Sequence, residues 1–165
     1  MKKLILVFFL SFNFFFTKSQ TNVPQGFKIG AAISLAIPVS NLTYNTIGAG
    51  FDILAQYGLS NNLALTADVG ATALFAKYNI PTTAVIPIRL GIKYFPSPAV
   101  YLGAKAGLGI YTLGNVVSEN YAAWSLGAGY IISRRFDVSA AYEGYSKKNV
   151  SFGYAGLRLG YTFGK

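Results

Sequence analysis

Between residues 26 and 163 the chain breaks into eight segments in which every second residue is apolar and the charges fall on the alternate set. The segment 83–95 shows the pattern. Ile86, Ile88, Leu90, Ile92 and Tyr94 lie on one side, and Val85, Pro87, Arg89, Gly91 and Lys93 on the other. Successive side chains of a strand point to opposite faces, so each segment is predicted to be a strand with one apolar and one polar face. The predicted strands are 26–37, 47–59, 63–75, 83–95, 99–112, 121–132, 136–146 and 150–163. Glycine is too frequent for helices.

The breaks carry a second pattern. Ser60-Asn61-Asn62, Pro96-Ser97-Pro98 and Ser133-Arg134-Arg135 are tight turns of turn-forming residues. The connections at 38–46, 76–82, 113–120 and 147–149 are mostly longer. Alternating long and short connections are expected of an up-and-down antiparallel meander whose two ends face different compartments.

Such a meander closes in one of two ways. In a soluble lipocalin-like barrel the apolar face turns inward and the charged face meets water. In a transmembrane barrel the apolar face meets lipid and the polar face fills the lumen. Glycine separates the two. Thirteen of the eighteen glycines share the charged face, among them Gly50, Gly70, Gly91, Gly109 and Gly156. An eight-stranded barrel is just wide enough inside for side chains, so lysine and arginine there need small neighbours. On a water-facing surface the same glycines would only weaken the strands. The charged fraction of 12% also fits a chain with little water-facing area. The predicted fold is all-β, an eight-stranded antiparallel up-and-down transmembrane β-barrel.

Aromatic placement agrees. Phe27, Tyr57, Tyr94, Tyr130, Phe136 and Phe163 are predicted to face outward next to the short-turn end, one ring at one level, as an interfacial girdle requires. Phe75 and Tyr142, with Trp124 deeper, make a less complete set at the other end.

Counted from the short-turn end of their own strands, Asp52, Asp68, Arg89, Lys105, Glu143 and Arg158 lie at one height on six strands. Lys28 and Lys93 lie lower in the lumen, and Asp137 lies at the rim. The layer is neutral in itself. A charge left unpaired at low dielectric costs several kcal/mol, so these groups are expected to pair. Asp68 with Arg89, and Glu143 with Arg158, lie on neighbouring strands. The expected result is a salt-bridge layer that closes the lumen.

Positions 1–19 stand apart. Lys2 and Lys3 precede an apolar run from Leu4 to Phe16, and Thr17-Lys18-Ser19 places small residues before Gln20. This reads as a secretory signal peptide. A run of thirteen residues is short of the roughly 20 that a spanning helix needs. Lys2, Lys3 and Lys18 fall in this leader. Of 14 basic residues eleven then remain against five acidic ones, a net charge of +6. The remaining basic residues are scattered, with no stripe for nucleic acid. There is no cysteine and no histidine. Disulfides, Ser-His-Asp and Cys-His catalysis and His- or Cys-ligated metals are therefore excluded. A two-carboxylate site among Asp52, Asp68 and Glu143 would be quenched by the three bases beside them. No enzyme activity, metal or cofactor is expected.

With this pattern the chain resembles the small eight-stranded outer-membrane barrels of the OmpA/OmpX type, and more closely the generic outer-membrane β-barrel domains of Gram-negative envelopes. The resemblance covers 26–163. It is most specific at Gly156-Leu157-Arg158-Leu159-Gly160-Tyr161-Thr162-Phe163, which looks like the assembly signal of these proteins through Tyr161 and Phe163. Two departures stand out: Gly164-Lys165 follow the last aromatic, and Arg158 takes a place where glycine is common.

The resemblance implies a barrel domain over 20–165, exported behind the leader to the bacterial outer membrane, with both termini periplasmic and the longer loops outside. It implies outer-membrane lipid and lipopolysaccharide as surroundings, with barrel-assembly machinery and periplasmic chaperones during biogenesis. Lys77, Lys147 and Lys148 would lie at the outer rim, within reach of lipid A phosphates. Barrels of this class that act as enzymes use histidine. The expectation is a monomeric barrel with a structural or surface role in the envelope. A narrow ion or small-solute channel and a soluble lipocalin-like carrier are the alternatives.

Overall fold

The computed structural model describes residues 26–42, 45–77, 81–113 and 117–163. The leader at 1–19 and Gly164-Lys165 lie outside them. Eight strands follow one another: β1 Gly26–Ser40, β2 Asn45–Gly58, β3 Leu63–Ala76, β4 Thr83–Tyr94, β5 Val100–Leu113, β6 Val117–Ile131, β7 Phe136–Lys147 and β8 Val150–Phe163. Each pairs antiparallel with the next, and β1 closes on β8 from Ile29 opposite Phe163 to Ser40 opposite Gly153. The fold is a closed eight-stranded up-and-down barrel.

All eight predicted strands are present, but several run further than their composition suggested. β1 continues to Ser40, β2 begins at Asn45 and β6 at Val117. The connections at 41–44, 77–82, 114–116 and 148–149 are then no longer, as a set, than those at 59–62, 95–99 and 132–135. The described strand bounds do not show the expected alternation of long and short connections. The cause lies in the ladders. Ser118, Glu119 and Asn120 read as loop by polarity, yet they pair with Thr112, Tyr111 and Ile110 of β5.

The pleat sorts the side chains as the alternation predicts. Leu90 is 72% exposed and Ile33 61%, whereas Arg89, between Leu90 and Ile88, is 2% exposed. A lipocalin-like closure would need the opposite arrangement, and the outward Ile, Leu and Phe side chains overturn that alternative. The strands are 12 to 15 residues long, enough to cross a bilayer, which takes about 9–11 tilted residues.

Two prolines interrupt the ladders. The β1–β8 register shifts between Pro38 and Ser40. The β3–β4 ladder passes from Val69–Ile88 to Thr72–Val85, skipping the residues around Pro87. Proline has no N–H to donate, so it is accommodated at such gaps. At the end that carries the turns 59–62, 95–99 and 132–135, each of these turns is bonded to a neighbouring turn or strand end. Phe95 N donates to Asn62 O at 2.8 Å, Ile131 N to Ala99 O at 2.7 Å and Thr162 N to Arg135 O at 2.8 Å.

Candidate functional site: the charged lumen

The interior is layered along the axis. At mid-height the six charges of Asp52, Asp68, Arg89, Lys105, Glu143 and Arg158 join into one network. Arg89 on β4 is its hub. Its Nε donates to Asp68 Oδ1 at 3.0 Å and its Nη2 to Asp68 Oδ2 at 3.3 Å. Its Nη1 donates to Glu143 Oε2 at 2.5 Å. Lys105 Nζ donates to Asp68 Oδ2. Arg158 Nη2 lies 3.0 Å from Asp52 Oδ2 and 3.7 Å from Asp68 Oδ2. Asp68, Arg89 and Asp52 are buried. Three acids and three bases thus neutralise one another where any one alone would carry a large desolvation penalty.

The Glu143–Arg158 pair is not formed, although the two strands are neighbours. Glu143 sits opposite Tyr154, whereas Arg158 sits opposite Ser139. Four residues along β8 separate the two positions, about 13 Å at strand rise. Arg158 instead reaches across β1 to Asp52 on β2. The inward residues of β1 at that height are Ala32, opposite Asp52, and Ser34, opposite Arg158. Both are small enough to let the guanidinium pass.

Glycine makes the space. A Cβ on Gly70 would meet Asp52 Cγ at 2.9 Å and Phe51 O at 2.8 Å. A Cβ on Gly91 would meet the Lys105 stem, Cγ at 2.7 Å.

Towards the β7–β8 hairpin the lumen is filled by an aromatic cluster that the sequence reading did not single out. Leu74, Val85, Tyr121, Tyr145, Phe152 and Tyr154 pack as one core inside the barrel. The Tyr145 and Phe152 rings stack with centroids 5.0 Å apart. The cluster is tied to the charges below it. Tyr154 OH donates to Glu143 Oε2 at 3.1 Å and Tyr145 OH to the same oxygen at 3.3 Å. Its sequence signal is parity, since Tyr121, Tyr145 and Tyr154 share the register of the charges and not that of the outward girdle.

Below the network, voids of ≈ 40 and ≈ 30 Å³ separate it from the lower lumen, space for about one or two waters each. There Lys93 lies over the Tyr101 ring, its Nζ 4.3 Å from the centroid. Tyr101 OH donates to Asp137 Oδ2 at 2.5 Å. Lys28 is half-buried beside them.

Outside, Phe27, Tyr57, Tyr94, Tyr130, Phe136 and Phe163 are all exposed. They stand at the starts of β1 and β7 and the ends of β2, β4, β6 and β8. Tyr161, on the same outward face, packs edge-on against Phe136 and Phe163, with ring centroids 5.0 and 5.2 Å apart. At the opposite end Lys77 and Lys148 are exposed. Lys147 points into the barrel mouth, its Nζ 3.3 Å from Glu119 Oε2. A neighbouring carboxylate engages it, with both side chains still partly exposed.

The family model described as "Outer membrane protein beta-barrel domain" matches residues 7–163. A comparison with curated proteins returns no match. Among solved structures the chain is similar to Ail, the attachment invasion locus protein of Yersinia pestis. Identity is 18% over 84% of this chain and 99% of that one, with a TM-score of 0.59. It is also similar to Neisserial surface protein A, at 20% identity over 84% and 98% of the two chains, TM-score 0.58. The N-terminal β-barrel domain of Pseudomonas aeruginosa OprF shares 17% identity over 84% and 98%, TM-score 0.55. At these identities the likeness is one of fold.

Proposed function

Because the chain belongs to the outer membrane protein beta-barrel domain family, we propose that it is an integral barrel of the bacterial outer membrane with a structural or surface role, its lumen closed by the six-charge network. The observation that carries this reading is the network itself. It is neutral, engages six strands and is capped by the Tyr145–Phe152–Tyr154 cluster. Such a layer ties distant strands together across the lumen. The proposed role requires no chemistry of its own. Proposed surroundings are lipid around the outward face and lipopolysaccharide phosphates near Lys77, Lys147 and Lys148. Tyr161 and Phe163 form the proposed signal to the assembly machinery, after export on the 1–19 leader.

A narrow channel is the second reading. The two small voids and the lower lumen approach the network from one side, so rearrangement of Arg89 and Arg158 alone would extend that path. The location is tested by fractionation and gel mobility. The protein is expected in the outer-membrane fraction, released only by detergent, and to migrate differently in SDS before and after boiling. A soluble product with one mobility would overturn the reading.

A further inference from the structure

At the end of the barrel that carries the turns 59–62, 95–99 and 132–135, the lower lumen opens into a cavity of ≈ 640 Å³. That is within the ordinary size range of small-molecule sites. Lys28, Lys93, Arg134 and Arg135 line it against a single carboxylate, Asp137. Asp137 already accepts the Tyr101 hydroxyl. All five acidic residues of the chain are among the described residues. None of them forms an ion pair with these four cations; the ion pairs fall on Arg89, Lys105, Lys147 and Arg158. Arg135 Nη1 lies 3.3 Å from Tyr161 OH, and Lys93 rests on the Tyr101 ring. The mid-height layer is balanced three against three. Among the described residues the cavity is four against one.

We propose that this cavity binds a phosphate-bearing anion. The guanidinium and ammonium groups of these lining residues match the oxygens of a phosphate mono- or diester, arginine by paired donors and lysine as a point charge. The walls admit two sources. Phe136 and Phe163 line the cavity and are also exposed on the outward face. The space therefore reaches the rim, where a lipid headgroup enters with its chains along the girdle. A soluble phosphate enters along the barrel axis.

The proposal goes beyond the closed-barrel reading, and only its lipid form rests on the chain lying in a membrane. The test uses the full chain, folded in uncharged detergent, with its heat-dependent gel mobility checked in every sample. Pyrophosphate is titrated calorimetrically, and phosphatidylglycerol is compared with phosphatidylcholine in the same micelles. One saturable site is expected. Arg134→Gln with Arg135→Gln should weaken it about tenfold or more, as loss of charge-assisted bonds does. Lys77→Gln with Lys148→Gln, the same charge change at the opposite end, should leave it unchanged. Saturation by pyrophosphate identifies a soluble ligand, and saturation by phosphatidylglycerol alone identifies a headgroup. Absence of saturation by both in a folded barrel, or equal weakening by the two double variants, would overturn the site while leaving the barrel reading standing.

Discussion

Arg89 on β4 donates to Glu143 on β7 across the lumen, at 2.5 Å, with both side chains largely withdrawn from solvent. The same guanidinium holds Asp68 on the neighbouring β3 through two further nitrogens. One side chain thus joins a local strand pair to the far wall of the barrel.

Removing that hub leaves Asp68 and Glu143 short of charge. Lys105 and Arg158 still reach Asp68, but Glu143 keeps only two tyrosine hydroxyls. Arg89→Ala should cost about 3–5 kcal/mol, the range for breaking a buried ion pair. The urea midpoint of the folded barrel in micelles reads this loss. An unchanged midpoint would show that the network adds nothing to stability.

The inward glycines differ in how much room they guard. A Cβ on Gly109 would stand 2.6 Å from Tyr145 Cε1, whereas one on Gly103 meets only Ile92 O at 3.9 Å. Gly109→Val should destabilise by about 1–3 kcal/mol through overpacking. Gly103→Ala should be neutral or slightly stabilising. Equal effects in parallel unfolding curves would contradict the described packing of the aromatic cluster.

Leu90 tests which solvent the outer face meets. It sits mid-strand and is the most exposed of the large outward apolar residues, at 72%. In water Leu90→Arg would be nearly neutral. In a bilayer it should cost about 2–4 kcal/mol, as cationic side chains near the midplane of barrels do. Reversible unfolding from lipid vesicles distinguishes the two.

Lys148 occupies the left-handed region, with φ 49, in the two-residue connection between β7 and β8. A side chain there costs about 1 kcal/mol relative to glycine. Lys148→Gly should raise the unfolding free energy by an amount of that order. A loss would mean that the lysine makes a compensating contact.

Much of this structure is legible in the sequence because one rule, the two-residue period, governs both faces. Leu90 and Arg89 are assigned to opposite sides by parity alone, and the six charges are placed at one height by counting along strands. Counting fails where geometry runs across strands. The offset that separates Glu143 from Arg158, and brings Arg158 over Ala32 and Ser34 to Asp52, is set by the stagger of the closed barrel, which no single strand encodes. Polarity misleads at Ser118-Glu119-Asn120, since a ladder partner on β5 outweighs composition. The aromatic core is legible in the parity of Tyr145 and Tyr154, which share the inward face with the charges.

The closed lumen is tested most directly by the conductance of the wild-type barrel in a planar bilayer, using protein whose fold is verified by its heat-dependent mobility. The network and its aromatic cap predict insertion without steady current. Stable, reproducible conductance steps from the wild-type protein would contradict the account and make the six charges the lining of a channel.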